Sequence, residues 1–96
     1  MKYRLSGRAD TDLDEIWNYI AQDNLEAADR LETQLHEAME LLAMMPGLGH
    51  RRDEVRRQDY RFWPVGQYII AYRVEAGQVV VIRVVHGARD LRRLFD

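Results

Sequence analysis

The apolar residues of this chain change their spacing once, at Pro46 and Gly47, and that change restricts the fold more than any other feature. Before it, Leu13, Ile16, Trp17 and Ile20 recur at i, i+3, i+4 and i+7. Ala28, Leu31, Leu35, Ala38, Leu42 and Met45 then recur at alternating steps of three and four. Both patterns describe one apolar face of a helix. After it, residues 60–63, 68–74 and 79–85 are rich in aromatic and β-branched side chains and are separated by turn residues, the signature of strands.

The boundaries follow from local chemistry. Residues 2–5 alternate weakly and predict a short strand, with Ser6 and Gly7 as a break. Asp10, Thr11 and Asp12 offer N-caps for the first helix, and Thr11 with Asp14, or Asp12 with Glu15, resembles a capping box. Asp10, Asp12, Asp14 and Glu15 then crowd a first turn, where the helix dipole favours negative charge. That helix should end near Gln22. Asp23 or Asn24 caps the second, and Pro46, Gly47 and Gly49 stop it. So short a connection predicts an antiparallel helical hairpin.

Residues 47–57 read as a loop, with a turn of helix at 53–56. Pro64 places the strand containing residues 60–63 at an edge or a bulge. Val65, Gly66 and Gln67 make a turn, and residues 75–78 a hairpin connection. The run 79–85 is apolar except for Arg83, which predicts a central strand or one covered on both faces. Residues 88–96 suggest a short helix with Leu91, Leu94 and Phe95 on one side. The order β-α-α-β-β-β is an α+β pattern: a helical hairpin on one face of a mostly antiparallel sheet. One domain over residues 1–96 is expected.

Composition narrows the function. Hydrophobic residues make up 47% and charged residues 31%, as in ordered globular proteins. With no cysteine, disulfide scaffolds and thiolate zinc sites are excluded. His36, His50 and His86 are too scattered to suggest a metal site, so neither metal nor small-molecule cofactor is expected. No apolar run approaches the ~20 residues of a membrane span, and the first nine residues do not read as a signal peptide. The expected location is the cytoplasm.

The net charge of −2 hides an asymmetry. Residues 1–45 carry four bases and ten acids, whereas residues 46–96 carry ten arginines and six acids. Arginine suits planar pairing with carboxylate or phosphate, so the basic half invites an acidic partner unless these arginines only solvate the surface or pair internally. Arg83, inside an apolar strand, needs a partner or a path to the rim, with Asp90 or Glu54 as candidates. Arg61 and Arg73, at alternating strand positions, are expected on the same sheet face as Arg83. Trp17, Phe62 and Trp63 read as core. Arg51, Arg52, Arg56 and Arg57 read as a solvated loop or a partner contact. His86 ends a buried strand and is expected to bond a backbone carbonyl or Asp90 rather than titrate. His36 is expected on the exposed side of its helix.

Four groups of residues, in this order, resemble the ParE toxins of the ParE/RelE superfamily. They are Ala9, Asp12, Leu13, Ile16, Trp17, Tyr19, Ile20 and Ala21; Met45, Pro46, Gly47, Leu48 and Gly49; Arg61, Tyr68, Ile70, Tyr72 and Arg73; and Ile82, Arg83, Val84, Val85, His86, Arg89 and Asp90. The resemblance implies the toxin of a type II toxin–antitoxin, plasmid-stabilising pair, which inhibits DNA gyrase and is neutralised by a ParD-like antitoxin. For partner binding it points to Arg61, Arg73, Arg83, Arg89 and an apolar helix–sheet groove that would accept a partner helix. The alternative, from RelE-like relatives, is a ribosome-dependent mRNA endonuclease. Such a site would draw on Arg61 and Arg83 for phosphate, His86 as acid or base and Glu54 as base. Against it, the only lysine is Lys2 and no tyrosine follows Tyr72. A third reading is a non-toxic scaffold within a repressor complex.

Overall fold

The computed structural model describes residues 3–95. The elements run β1 (Tyr3–Leu5), α1 (Gly7–Ala21), α2 (Leu25–Met44), β2 (Arg61–Val65), β3 (Tyr68–Glu75), β4 (Gln78–His86) and α3 (Leu91–Leu94). This is the α+β order read from the sequence. Lys2 and Asp96, placed in the first strand and the last helix by that reading, lie outside the described residues.

α1 begins earlier than its acids suggest. Its N-cap is Ser6, whose Oγ accepts the Ala9 N–H at 3.0 Å. The same hydroxyl donates to the Ile82 carbonyl at 2.7 Å, and the Ser6 N–H donates to the Val81 carbonyl at 2.9 Å. A residue that closes the sheet ladder and caps the helix satisfies polar groups on both elements, which an exposed aspartate cannot do. The expected caps at Asp10, Thr11 and Asp12 are therefore inside the helix, and Asp12 sits a turn further in, buried.

α2 is capped by Asn24, whose side chain accepts the Ala27 N–H. Its buried residues are Ala28, Leu35, Met39, Leu42 and Ala43, while Leu31 and Ala38 are half-buried and Met45 is exposed. A 3.5-residue repeat drifts roughly 20° per heptad on a straight helix, so Met39 enters the core and Met45 leaves it. The Trp17 indole N–H, donating to Asp29 at 2.9 Å, ties the hairpin across its outer side.

The four strands lie in the order β1-β4-β3-β2. β1 is parallel to β4, and the other pairings are antiparallel. β4 is central, as its apolar run predicts, and Pro64 lies on edge strand β2, where its missing N–H is tolerated. The β3–β4 turn uses positive φ at both Ala76 (52°) and Gly77 (79°), the arrangement that matches strand twist.

The sheet is covered on both faces. Toward the helices, Ile70, Tyr72, Val79, Val81 and Val84 pack with Ala9, Leu13, Leu35, Met39 and Leu42. On the other face, Phe62, Ile69, Ala71 and Val85 pack with Val55, Tyr60, Leu91 and Phe95. This second cover is residues 51–60 plus α3. Residues 53–56, expected as a helical turn, form no helix; Val55 instead plugs the face with no exposure. The Phe95 ring meets Tyr60 and Phe62 edge-on at 5.6 and 5.5 Å.

A β-bulge decides which side chains of β4 face which way. Ala71 pairs with Arg83 and Tyr72 with Val81, so Ile82 is an extra residue. Without it, strict alternation from Val79 and Val81 would aim Arg83 into the helix-side core. With it, Val84 fills that core and Arg83 emerges at the strand's edge.

Candidate functional site

β1 ends at Leu5, whereas β4 continues to His86. Beyond the end of β1, α1 runs beside the uncovered part of β4 and leaves a cleft of ≈ 190 Å³. One wall is a stripe of α1: Arg8, Asp12, Glu15, Ile16 and Tyr19, spaced so that all lie on one helix face. The other holds Arg83, Val84, Val85 and His86 from β4, Arg89 from the following turn and Tyr68 from β3.

Asp12 organises the cleft. Its carboxylate, 4% exposed, accepts the Arg83 Nε–H at 2.8 Å, the Arg83 Nη2–H at 3.2 Å and the Val84 backbone N–H at 2.9 Å. The Val84 amide belongs to the sheet edge that β1 no longer covers, and the carboxylate takes the place of a strand there. The fork geometry of the guanidinium matches the two carboxylate oxygens, which offsets the cost of desolvating both charges. Arg8 approaches the same carboxylate at 3.4 Å and Glu15 at 4.0 Å.

At the far end, Tyr68 and His86 face each other across the β3–β4 register, their rings 5.3 Å apart and nearly perpendicular. His86 Nδ1 accepts the Ala88 N–H at 3.0 Å, so in the neutral ring Nε2 carries the hydrogen. The expected acceptor roles for a carbonyl or Asp90 are not used; Asp90 instead caps α3 through the Arg92 N–H. Burial raises the Tyr68 hydroxyl pKa, and Tyr19 adds to the effect.

The candidate residues are divided by the fold. Arg83, His86 and Arg89 come together in the cleft. Arg61 does not join them: it pairs in register with Tyr72 on the helix-facing side, and its guanidinium donates to the Gly49 carbonyl at 2.8 Å and more weakly to Gly47. Arg73, next to Tyr72 on β3, points to the opposite face and pairs with Glu75 at 2.9 Å. The expectation that Arg61, Arg73 and Arg83 share a face fails for Arg61, which strand alternation puts on the helix side, whereas the bulge sets Arg83 opposite Ala71, on the face of Arg73. Glu54 lies in the loop beside Arg52 at 3.8 Å, and Arg83 takes Asp12 rather than Glu54 or Asp90. His36 is half-buried, with its Nδ1 2.8 Å from the Tyr3 hydroxyl, and not on an exposed face.

Loop arginines stack on the far core. The Arg57 guanidinium lies 4.6 Å from the Tyr60 ring centre and that of Arg52 5.8 Å from Phe62. Arg57 also makes a two-pronged contact to Asp59 that holds this carboxyl below its ordinary value. A second cleft of ≈ 220 Å³ opens beside them, between Arg57, Tyr60, Ile82, Arg83, Leu94 and Phe95. Arg83 lines both clefts and so marks the edge between the two faces.

Arg8, Asp12, Tyr19 and Tyr68 were not among the sequence candidates. The spacing of Arg8, Asp12, Glu15 and Tyr19 is the signal that could have found them, since it places charge along one border of the apolar stripe. Among the described residues no group of three or more His, Cys, Asp or Glu side chains could hold a metal ion. No described helix is long and apolar enough to cross a membrane. The cleft offers guanidinium, imidazole and phenol donors over an apolar floor, which suits recognition of an acidic, partly apolar partner.

Comparison with known proteins agrees with this architecture. Residues 3–91 match the family model described as ParE toxin of type II toxin–antitoxin system, parDE. The chain is 40% identical to toxin ParE1 of Caulobacter vibrioides over 91 residues, covering 94% of this chain and 93% of the relative. It is 32% identical to toxin ParE1 of Mycobacterium tuberculosis over 94 residues, with 96% and 95% covered. Toxin RelE2 of Caulobacter vibrioides is 35% identical over 82 residues, covering 85% and 90%. A chain from a structure titled chromosomal ParDE TA system from P. aeruginosa shares the fold, with a TM-score of 0.74, 19% identity, and 90% and 95% of the two chains covered.

Proposed function

Because the chain belongs to the ParE toxin family of type II toxin–antitoxin systems, we propose that it acts in the cytoplasm as an inhibitor of DNA gyrase and is silenced by a ParD-like antitoxin. It acts by binding, without metal or cofactor. The antitoxin lies against the cleft between α1 and β4, and the similarity to a chain from a ParDE system supports such pairing.

One observation carries the choice of binding over RNA cleavage: Arg61 and Glu54 lie away from the cleft that holds Arg83 and His86, and each of the four already has a partner. Arg61 holds the carbonyls of Gly49 and Gly47, Arg83 is locked to Asp12, and Glu54 sits beside Arg52 in the loop. His86 accepts a backbone amide through Nδ1, which engages one of the two ring nitrogens a proton shuttle would use.

Purified gyrase with relaxed plasmid provides the test. The chain should block supercoiling at stoichiometric concentrations, and addition of the antitoxin should restore it. In cells expressing the chain, primer extension should reveal no ribosome-dependent cuts in messenger RNA. Intact supercoiling together with such cuts would replace this reading with the endonuclease.

A further inference from the structure

We propose that the cleft between α1 and β4 is a docking subsite for a short polypeptide segment that presents an apolar side chain next to a carboxylate, held by Arg8 on one wall and Arg89 on the other. This rests on the antitoxin reading above and names the chemistry of the segment that enters the cleft.

The charges lead to this assignment. Three guanidinium groups line the cleft, Arg8, Arg83 and Arg89, against the carboxylates of Asp12 and Glu15. Asp12 is buried and saturated by Arg83 and the Val84 amide. What remains is Arg8, held loosely at 3.4 and 4.0 Å by Asp12 and Glu15, and Arg89, which makes no ion pair among the described residues. Both are exposed, so their donors face solvent. His86, with Nδ1 occupied by the Ala88 amide, can add its Nε2–H. A carboxylate entering here meets unspent donors in a site that is fixed in advance by the Asp12–Arg83 pair.

The floor decides between a polypeptide and a nucleic acid. Ile16, Val84 and Val85 supply apolar surface, and Tyr19, 72% exposed, leaves a large ring uncovered at the mouth. Glu15 stands on the wall, and residues 1–45, which include both long helices, carry ten acids against four bases. A phosphate backbone would be repelled along that side, whereas an apolar side chain flanked by one acid is matched. At ≈ 190 Å³ the cleft is smaller than the usual 300–1,000 Å³ of a small-molecule site, and suits an anchoring side chain.

The probe is a purified cognate ParD-like antitoxin, titrated against the full chain by calorimetry at two salt concentrations. Arg8→Glu and Arg89→Glu should each weaken binding by about tenfold, and the double variant should lose most of the salt dependence of the wild type. Arg51→Glu, in the loop outside the cleft, should bind as the wild type does. Changing one acidic residue of the antitoxin to lysine should restore affinity to Arg89→Glu. If a charge reversal unfolds the chain, Arg8→Gln and Arg89→Gln should still weaken binding by about threefold. Wild-type affinity in these variants overturns the subsite and leaves the antitoxin reading standing. No complex with the wild-type chain overturns both.

Discussion

On one face of the sheet, helices of 15 and 20 residues cover Ile70, Tyr72, Val79, Val81 and Val84. On the other, residues 51–60 and a four-residue helix cover Phe62, Ile69, Ala71 and Val85. The helices satisfy their own backbone and need only an apolar stripe to dock. The irregular cover has no such ladder. It relies on side chains: Gln58 donating to the Val55 carbonyl at 2.8 Å, Arg57 clamped on Asp59 and Tyr60, and Phe95 wedged between two rings. Covers of the second kind open locally at lower free energy than packed helices do. At the edge where the two covers meet, the buried ion pair of Asp12 with Arg83 faces the cleft assigned to the partner.

The most damaging test of this contrast is removal of that pair. Asp12→Ala leaves the Arg83 charge and the Val84 amide without their acceptor in a buried site. Stability should fall by about 3–5 kcal/mol, read as a lower urea midpoint. A loss under about 1 kcal/mol would mean that the edge is held by packing alone.

The two covers can then be set against each other. Leu35→Ala, on the helix side, should cost about 3 kcal/mol and accelerate hydrogen exchange throughout the sheet. Phe95→Ala, in the irregular cover, should cost about 2 kcal/mol, less than a truncation within the main core, because that cover can relax around it. Its exchange effects should be confined to β2 and β3. Equal, global effects from both would erase the distinction.

The smallest effect concerns the loop that joins the two halves of the chain. The Tyr72 hydroxyl donates to the Pro46 carbonyl at 2.7 Å and accepts the Gly49 N–H at 2.8 Å. A Cβ on Gly49 would fall 2.5 Å from that hydroxyl, so only glycine fits there. Burial raises the Tyr72 pKa above 10.0, opposed by the Gly49 amide and by Arg61. The neutral phenol is the form the fold prefers. Its contribution is therefore full below the ordinary value near 10.0 and is lost as pH rises through the higher folded value. Tyr72→Phe should cost about 1–2 kcal/mol at pH 7, since it strands a buried amide. It should also flatten the alkaline fall in stability, without abolishing it, because Tyr3 and Tyr68 are raised by burial too.

Local and periodic features were legible in the chain itself. The two apolar stripes (except Met45), the stop at Pro46 and Gly47, a cap at Asp23 or Asn24, the edge position of Pro64 and the central run of β4 all act over a few residues, and the structure keeps them, with Asn24 as the cap. The order of elements and the family resemblance were legible too. Of the candidate site residues, Arg83, His86 and Arg89 meet in one cleft, whereas Arg61, Arg73 and Glu54 are elsewhere.

What only the tertiary structure decided depends on pairings between distant residues. The cap at Ser6 wins because the β1–β4 ladder ends on it, and Asp12 becomes a buried partner of Arg83, 71 positions away. The extra residue Ile82 reverses the facing of everything after it on β4, and periodicity alone carries no mark of such an insertion. Spacing along the chain specifies which side of an element is apolar. Which polar groups end up opposite one another depends on strand register and on where each strand stops, and those are settled only when the whole sheet closes.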